Sequence, residues 1–349
     1  MDHFIGIDVH RKFSEVCVLE EGGEVLVRRK LYHDEPETIE AFFDSFPPGT
    51  PVTMESSFGW MWLAQMLQDL GMEVKLAHSA KVRYIAEARL KNDTIDAWVL
   101  AHLLRTGFLP IAYLAPSSVR DNRMVLRHRE ALKRSRTRMK NRVHALLARH
   151  NIHIDLTDIF GVGGMEILRI LQVPEPTRRV LDSLLDTVEF LDEEIAQVQK
   201  HIASRLKKDP RVEWLESLPG VGRLTSYYLL AEIGEIERFR CPKKLVSYAG
   251  LCPSTRQSGA KIRHGPIGGG RRLLRWVLIE AAHTASRRDG YFGHLFQSTK
   301  RRKEKNTAYV TVARKMTKII WQMLTEGRPY QRKVTTTPRV GPSRAMVAR

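Results

Sequence analysis

Cysteine is scarce in these 349 residues: Cys17, Cys241 and Cys252 are the only three, far apart and odd in number. No Cys-x-x-Cys occurs and no Cys/His set has zinc spacing, which excludes a disulfide scaffold and a zinc finger. Long apolar runs are missing as well, and none approaches the ~18 consecutive residues that a membrane helix needs. The opening Met1-Asp2-His3-Phe4 lacks the basic-then-apolar layout of a secretion signal, so a cytoplasmic, nucleoid-associated place of work is expected. Acid is in short supply too, with 39 Asp and Glu against 57 Lys and Arg, a net charge of +18. That surplus points to a polyanionic partner, most often nucleic acid. The hydrophobic share of 43 % is ample for a core and excludes global disorder.

The amino-terminal third alternates short apolar runs with helical stretches. Phe4–Val9, Glu15–Leu19 and Val25–Val27 read as three strands, with a hairpin turn at Glu21–Glu24. Helix 38–46, strand 51–55, helix 59–70, strand 71–76 and helices 80–90 and 94–104 follow. A three-strand meander followed by alternating helices and strands is the order of a ribonuclease-H-like α/β layer. From Ser117 to Asn151 the pattern is helical and very basic, with eleven Lys/Arg between Arg120 and Arg149 against Asp121 and Glu130. A second long helix carries Leu181, Leu184, Val188, Leu191, Ile195, Val198 and Ile202 at alternating spacings of three and four. That seam suits a coiled coil, and it fits pairing with the preceding basic helix as well as a dimer contact.

Four acids form the first candidate site. Asp8 closes the first strand and Glu55 the fourth, and adjacent parallel strands bring such positions together at the carboxyl edge of a sheet. Asp93 and Asp96 lie three apart at the start of a helix, so both project from one face. Singly, each acid also fits a turn former or a helix cap. As a set, converging carboxylates repel unless divalent cations neutralise them, and Mg²⁺ takes carboxylate oxygens readily. Two such ions about 4 Å apart stabilise the attacking and leaving oxygens of a phosphoryl displacement.

Leu218-Pro219-Gly220-Val221-Gly222, followed by Thr225, Leu229, Leu230 and Gly234, has the outline of a helix-hairpin-helix. Gly220 and Gly222 would let backbone amides approach a phosphate without reading sequence; a plain helix–helix turn fits the same residues. Next comes a basic, glycine-rich loop with Arg256, Ser258-Gly259, Lys261, Arg263 and Gly268-Gly269-Gly270-Arg271-Arg272. By chemistry alone Ser258 is an ordinary loop serine. No Ser-His-Asp order is legible, and no Gly-Lys-Ser/Thr ends the glycines. The candidate phosphate contacts are Gly220, Gly222, Arg134, Arg136, Arg138, Arg256, Lys261, Arg263, Arg271 and Arg272.

In that order, Phe-Ile-Gly-Ile-Asp8-Val-His, Met-Glu55-Ser-Ser-Phe-Gly, Lys-Asn-Asp93-Thr-Ile-Asp96-Ala, Tyr248-Ala-Gly-Leu-Cys-Pro253 and Gly270-Arg-Arg-Leu-Leu-Arg275 resemble the DEDD transposases. These are the insertion-sequence-one-hundred-and-ten family and the related Piv-type DNA invertases, and the resemblance covers residues 1 to about 325. It implies a RuvC-like domain over 1–115, a basic helix and coiled-coil connector over 116–209, and a mainly helical transposase domain with a helix-hairpin-helix over 210–327. A basic disordered tail over 328–349 completes the division. The resemblance also implies catalytic acids at Asp8, Glu55, Asp93 and Asp96, a nucleophilic serine at Ser258, and Mg²⁺. Its partners would be donor and target DNA, a noncoding bridge RNA and further copies of the chain in a homodimer or homotetramer. The expected activity is a recombinase that moves an insertion sequence through a covalent serine–DNA intermediate. The alternative is a RuvC-like endonuclease that uses water as nucleophile.

Overall fold

A computed structural model describes residues 2–56, 59–85, 93–258 and 261–331. The chain divides into two units, Met1–Ser117 and Ser118–Arg349. In the first, strands β1 (Phe4–Val9), β2 (Phe13–Leu19) and β3 (Val25–Tyr32) precede helix α1 (Pro36–Asp44). Then come β4 (Pro51–Glu55), α2 (Trp60–Asp69), β5 (Glu73–Ala77), α3 (Ser79–Ile85), α4 (Asp93–Arg105) and the short β6 (Ile111–Ala112). One six-stranded sheet has the order β3-β2-β1-β4-β5-β6. β1, β2 and β3 pair antiparallel, whereas β1–β4 and β4–β5 are parallel. β2 and β3 are longer than the sequence suggests, because the turn at Glu20–Glu24 pairs Phe13 all the way back to Tyr32.

Alternation along β1 gives the sheet two different faces. Ile5, Ile7 and Val9 point to one side, where they join Val52, Met54, Phe43, Leu63 and Leu67 in a core under α1 and α2. The other side is covered by α4, and Gly6 permits it. A Cβ on Gly6 would lie 2.1 Å from the Ala97 carbonyl oxygen and 2.5 Å from the Ala101 nitrogen. Both are backbone atoms, so no side-chain rotation relieves the clash. Gly6→Ala is therefore expected to push α4 off the sheet and destabilise this unit by about 1–3 kcal/mol, as overpacking does. Denaturant unfolding monitored by circular dichroism measures this; an unchanged midpoint would show that α4 does not bear on β1.

The second unit begins with a helical hairpin. α5 (Ser117–Arg149) and α7 (Glu175–Leu206) run antiparallel, with α6 (Val162–Ile170) at their turn. Arg129 donates to Gln199 at 3.0 Å, Arg136 pairs with Asp192, and Thr177 meets His150 at 2.9 Å, pairing the helices along their length. Leu181, Leu184, Val188, Leu191, Ile195 and Ile202 are all buried within the single chain. The heptad seam is thus filled from inside: Leu181 and Leu184 cluster with Val143 and Leu147 of α5, and Ile202 with Leu126.

The rest of this unit is a helical core of α8 (Pro210–Glu216), α9 (Arg223–Ile233), α10 (Pro242–Tyr248), α11 (Arg272–Arg288), α12 (Gly290–Lys300) and α13 (Lys305–Glu326). Inserted between α10 and α11 is an antiparallel hairpin, β7 (Pro253–Ser258) and β8 (Lys261–Ile267). This corrects the expectation of a loop there. Ser254 to Ser258 are polar at every position and so carry no two-residue apolar period, which leaves the strand pairing illegible among the surrounding glycines. Residues 328–331, assigned to the tail from sequence, lie against the core, where the Tyr330 amide donates to Ser217 Oγ at 2.8 Å. The remainder of the expected tail, 332–349, lies outside the described residues.

Candidate active site

Two acids meet at the carboxyl edge of the sheet. The parallel register pairs Gly6 with Thr53 and Ile7 with Met54. Asp8 and Glu55 are the next residue on each strand, hence neighbours, and both fall on the face that α4 covers. Ala97 and Ala101 lie over Gly6, and the following turns of α4, at Leu100 and Leu104, gather against Phe4. α4 therefore runs antiparallel to β1, and its first turn, holding Asp93 and Asp96, is directed at the edge where Asp8 and Glu55 stand. Asp96 is exposed. The Asp93 side chain lies outside what is described.

Asp8 is largely shielded, at 19 % side-chain exposure, and its Oδ2 lies 3.0 Å from His10 Nε2. His10 is held in turn by a backbone hydrogen bond to the Phe13 carbonyl and a ring contact with Phe13 at 4.7 Å. This histidine was not singled out from sequence, although its two-residue offset from Asp8 is the signal that places both on one side of the chain. Behind Glu55, the Ser56 and Ser79 hydroxyls are 3.4 Å apart and tie the strand end to α3. Among the described residues no three His, Cys, Asp or Glu side chains are grouped to hold a metal. The donors that do assemble are carboxylate oxygens, which suit a hard divalent cation.

Ser258 ends β7, and the register sets it opposite Lys261, with Arg256 opposite Arg263. Side chains at 256, 258 and 261 lie outside what is described. The hairpin's base is fixed by Arg275, whose Nη1 donates to the carbonyls of Gly269 and Gly250 at 3.0 and 3.4 Å.

A family model described as "Transposase IS116/IS110/IS902 family" matches residues 212–297, a span that contains Ser258. The DEDD transposase model of the IS110 group matches residues 5–152, which contain all four acids. This chain belongs to the IS110/IS116/IS902 transposase family. It is 25 % identical to the transposase for insertion sequence element IS1328 of Yersinia enterocolitica, over 94 % of this chain and 98 % of that one. The transposase for IS1111A of Coxiella burnetii is 26 % identical, over 94 % of this chain and 91 % of its own. The pilin gene-inverting protein of Moraxella bovis is 28 % identical over 43 % of this chain and 49 % of that one.

The transposase uses several of its basic residues for its own architecture. On α5, Arg123 donates to the carbonyls of Ala231 and Glu232 at 2.6 and 3.1 Å, and burial lowers its pKa below the usual guanidinium value. Arg127 holds the buried Glu232 carboxylate at 2.8 Å. Arg129 and Tyr228 both donate to Glu130, at 3.0 and 2.6 Å, and burial with that acid pushes the Tyr228 hydroxyl well above its usual pKa. Of the three arginines expected on phosphate, Arg136 is taken by Asp192, while Arg134 and Arg138 are exposed.

Arg271 donates to the Tyr248 hydroxyl at 2.9 Å; Arg263 and Arg272 are exposed. Gly220 has a packing role: at φ +86°, a Cβ there would sit 2.3 Å from the Ala281 carbonyl of α11. Gly222 caps α9, and a Cβ there would meet open space. No helix among the described residues is long and apolar enough to cross a membrane.

Proposed function

We propose that this transposase excises and inserts its element by joining DNA strands through a covalent link to Ser258, in a reaction directed by a bridge RNA. The observation that carries the catalytic part is the side-by-side placement of Asp8 and Glu55 at the carboxyl edge, under the amino end of α4. The strand order, with three antiparallel strands leading into a parallel pair, supports a ribonuclease-H-like (RuvC-like) domain over 1–115. The α5–α7 hairpin supports a coiled-coil connector over 116–209, and α8 to α13 a transposase domain over 210–327 with a helix-hairpin-helix at Leu218–Gly222.

Asp8, Glu55, Asp93 and Asp96 would hold Mg²⁺, which when bound neutralises charge developing on a phosphate oxygen. His10 Nε2 lies 3.0 Å from one oxygen of the Asp8 carboxylate, close enough to orient it. The Ser258 hydroxyl loses its proton as the Oγ–P bond forms and the strand's P–O bond breaks; the proton ends on the departing strand's hydroxyl. Lys261, Arg256 and Arg263 supply positive charge along the same hairpin. The relatives' names, insertion-sequence transposases and an inverting protein, support rejoining of DNA rather than simple cutting.

Sequencing the nucleic acid recovered with the protein from cells carrying the whole element tests the guide. One defined noncoding RNA is expected, and rewriting its target-pairing segment should redirect insertion. Insertion at the original site after that rewriting, or without RNA, would overturn the guided reading.

A further inference from the structure

The helical unit carries a groove of about 660 Å³ between α5 and α11, bounded by Lys133, Arg134, Arg272, Arg275 and Trp276. Trp276 is its unusual member. Its neighbours Leu274, Val277 and Leu278 are buried in the core, whereas the indole is 43 % exposed beside the partly buried Leu273 and Ile279. Lys133 Nζ lies 5.4 Å from the ring centroid and steadies it. The one acid in the wall, Glu130, is already matched by Arg129, Tyr228 and Lys133. Arg134 and Arg272 make no hydrogen bond or ion pair among the described residues. Uncommitted guanidinium groups beside an exposed aromatic plane match the two halves of a nucleotide: phosphate on the cations and base on the ring.

We infer that this groove binds an unpaired stretch of nucleic acid, with a base stacked on Trp276 and flanking phosphates on Arg134 and Arg272. The inference rests on reading the chain as a nucleic-acid enzyme, and it adds a site that shares no residue with the acids or Ser258. Duplex would not fill it, because a paired base keeps its face in the helical stack. The same chemistry is offered by an RNA loop and by a displaced DNA strand.

Fluorescence anisotropy of full-length protein with labelled ten-nucleotide oligouridylate and oligothymidylate tests it. Trp276→Ala should weaken binding about tenfold or more, the loss that removing one stacking platform brings. Trp276→Phe should retain most of the affinity, since a smaller ring still stacks. Arg134→Ala with Arg272→Ala should reduce the slope of log affinity against log salt by about 1.4, that is, two phosphates on a single strand. A Trp276-dependent preference for oligouridylate assigns the groove to RNA, and one for oligothymidylate to DNA. Unchanged affinity in Trp276→Ala for both oligonucleotides overturns the inference, as does equal competition by polyglutamate. Asp8→Asn and Ser258→Ala proteins that bind these oligonucleotides without strand chemistry would leave the groove standing, so the two readings fail separately.

Discussion

Asp8→Asn is expected to abolish strand cleavage, with a loss of about 10³-fold or more, while nucleic-acid binding persists. The amide matches the carboxylate in volume, so β1 and its packing under α4 should survive. What disappears is a negative charge at the sheet edge, shielded to 19 % exposure and held 3.0 Å from His10. Without it a divalent cation loses a hard ligand, and charge developing on the phosphate goes unanswered. Binding should hold or tighten, because one source of repulsion between the site and a phosphate has gone. Glu55→Gln should behave alike, since the register makes these two acids neighbours. Removing divalent cations with a chelator should reproduce both variants, and adding Mg²⁺ should restore only the wild-type chain. The check is cleavage of a labelled element end at saturating protein, alongside a binding titration. Wild-type cleavage by Asp8→Asn would reduce the acid to a strand-end turn former.

The acids were legible in sequence because strand ends are. Phe4-Ile5-Gly6-Ile7-Asp8-Val9 shows its period of two directly, and Asp8 falls where the apolar run stops. What could not be read was the role of Gly6, since only the approach of Ala97 and Ala101 reveals that the glycine lets α4 reach the acids. Charge was read as quantity and not as place. Eleven cations on α5 suggested a phosphate track, yet Arg123 and Arg129 share the buried stripe with Leu126 and spend their guanidinium groups on α9 and α7. The same holds for Gly220, whose closeness to α11 is a contact between segments some sixty residues apart and leaves no local trace. Helix α6 has no clear sequence signal, because Gly163 and Gly164 disfavour a helix, while the burial of Leu168 against Leu181 and Leu185 holds it together. Glycine content likewise hid the β7–β8 hairpin, whose register is what gives Ser258 its partner Lys261.

The position of that serine at the end of β7 bears most directly on how strands are joined. A hydroxyl that attacks phosphorus stores the energy of the broken bond in a phosphoserine ester, so the strand passes to a new partner without ATP. Attack by water discards that energy and leaves an end that only a ligase can rejoin. Ser258→Ala should therefore lose cleavage and adduct together, by about 10³-fold or more, with RNA and DNA binding near normal. Ser254→Ala, four residues earlier on the same strand, should retain activity. The measurement is denaturing electrophoresis of labelled DNA incubated with protein and Mg²⁺, followed by protease digestion and mass spectrometry of the peptide left on the strand. A DNA-linked peptide modified at Ser258 is the expected result; cleavage by Ser258→Ala at the wild-type rate, with no peptide attached, would contradict the covalent mechanism and identify water as the nucleophile.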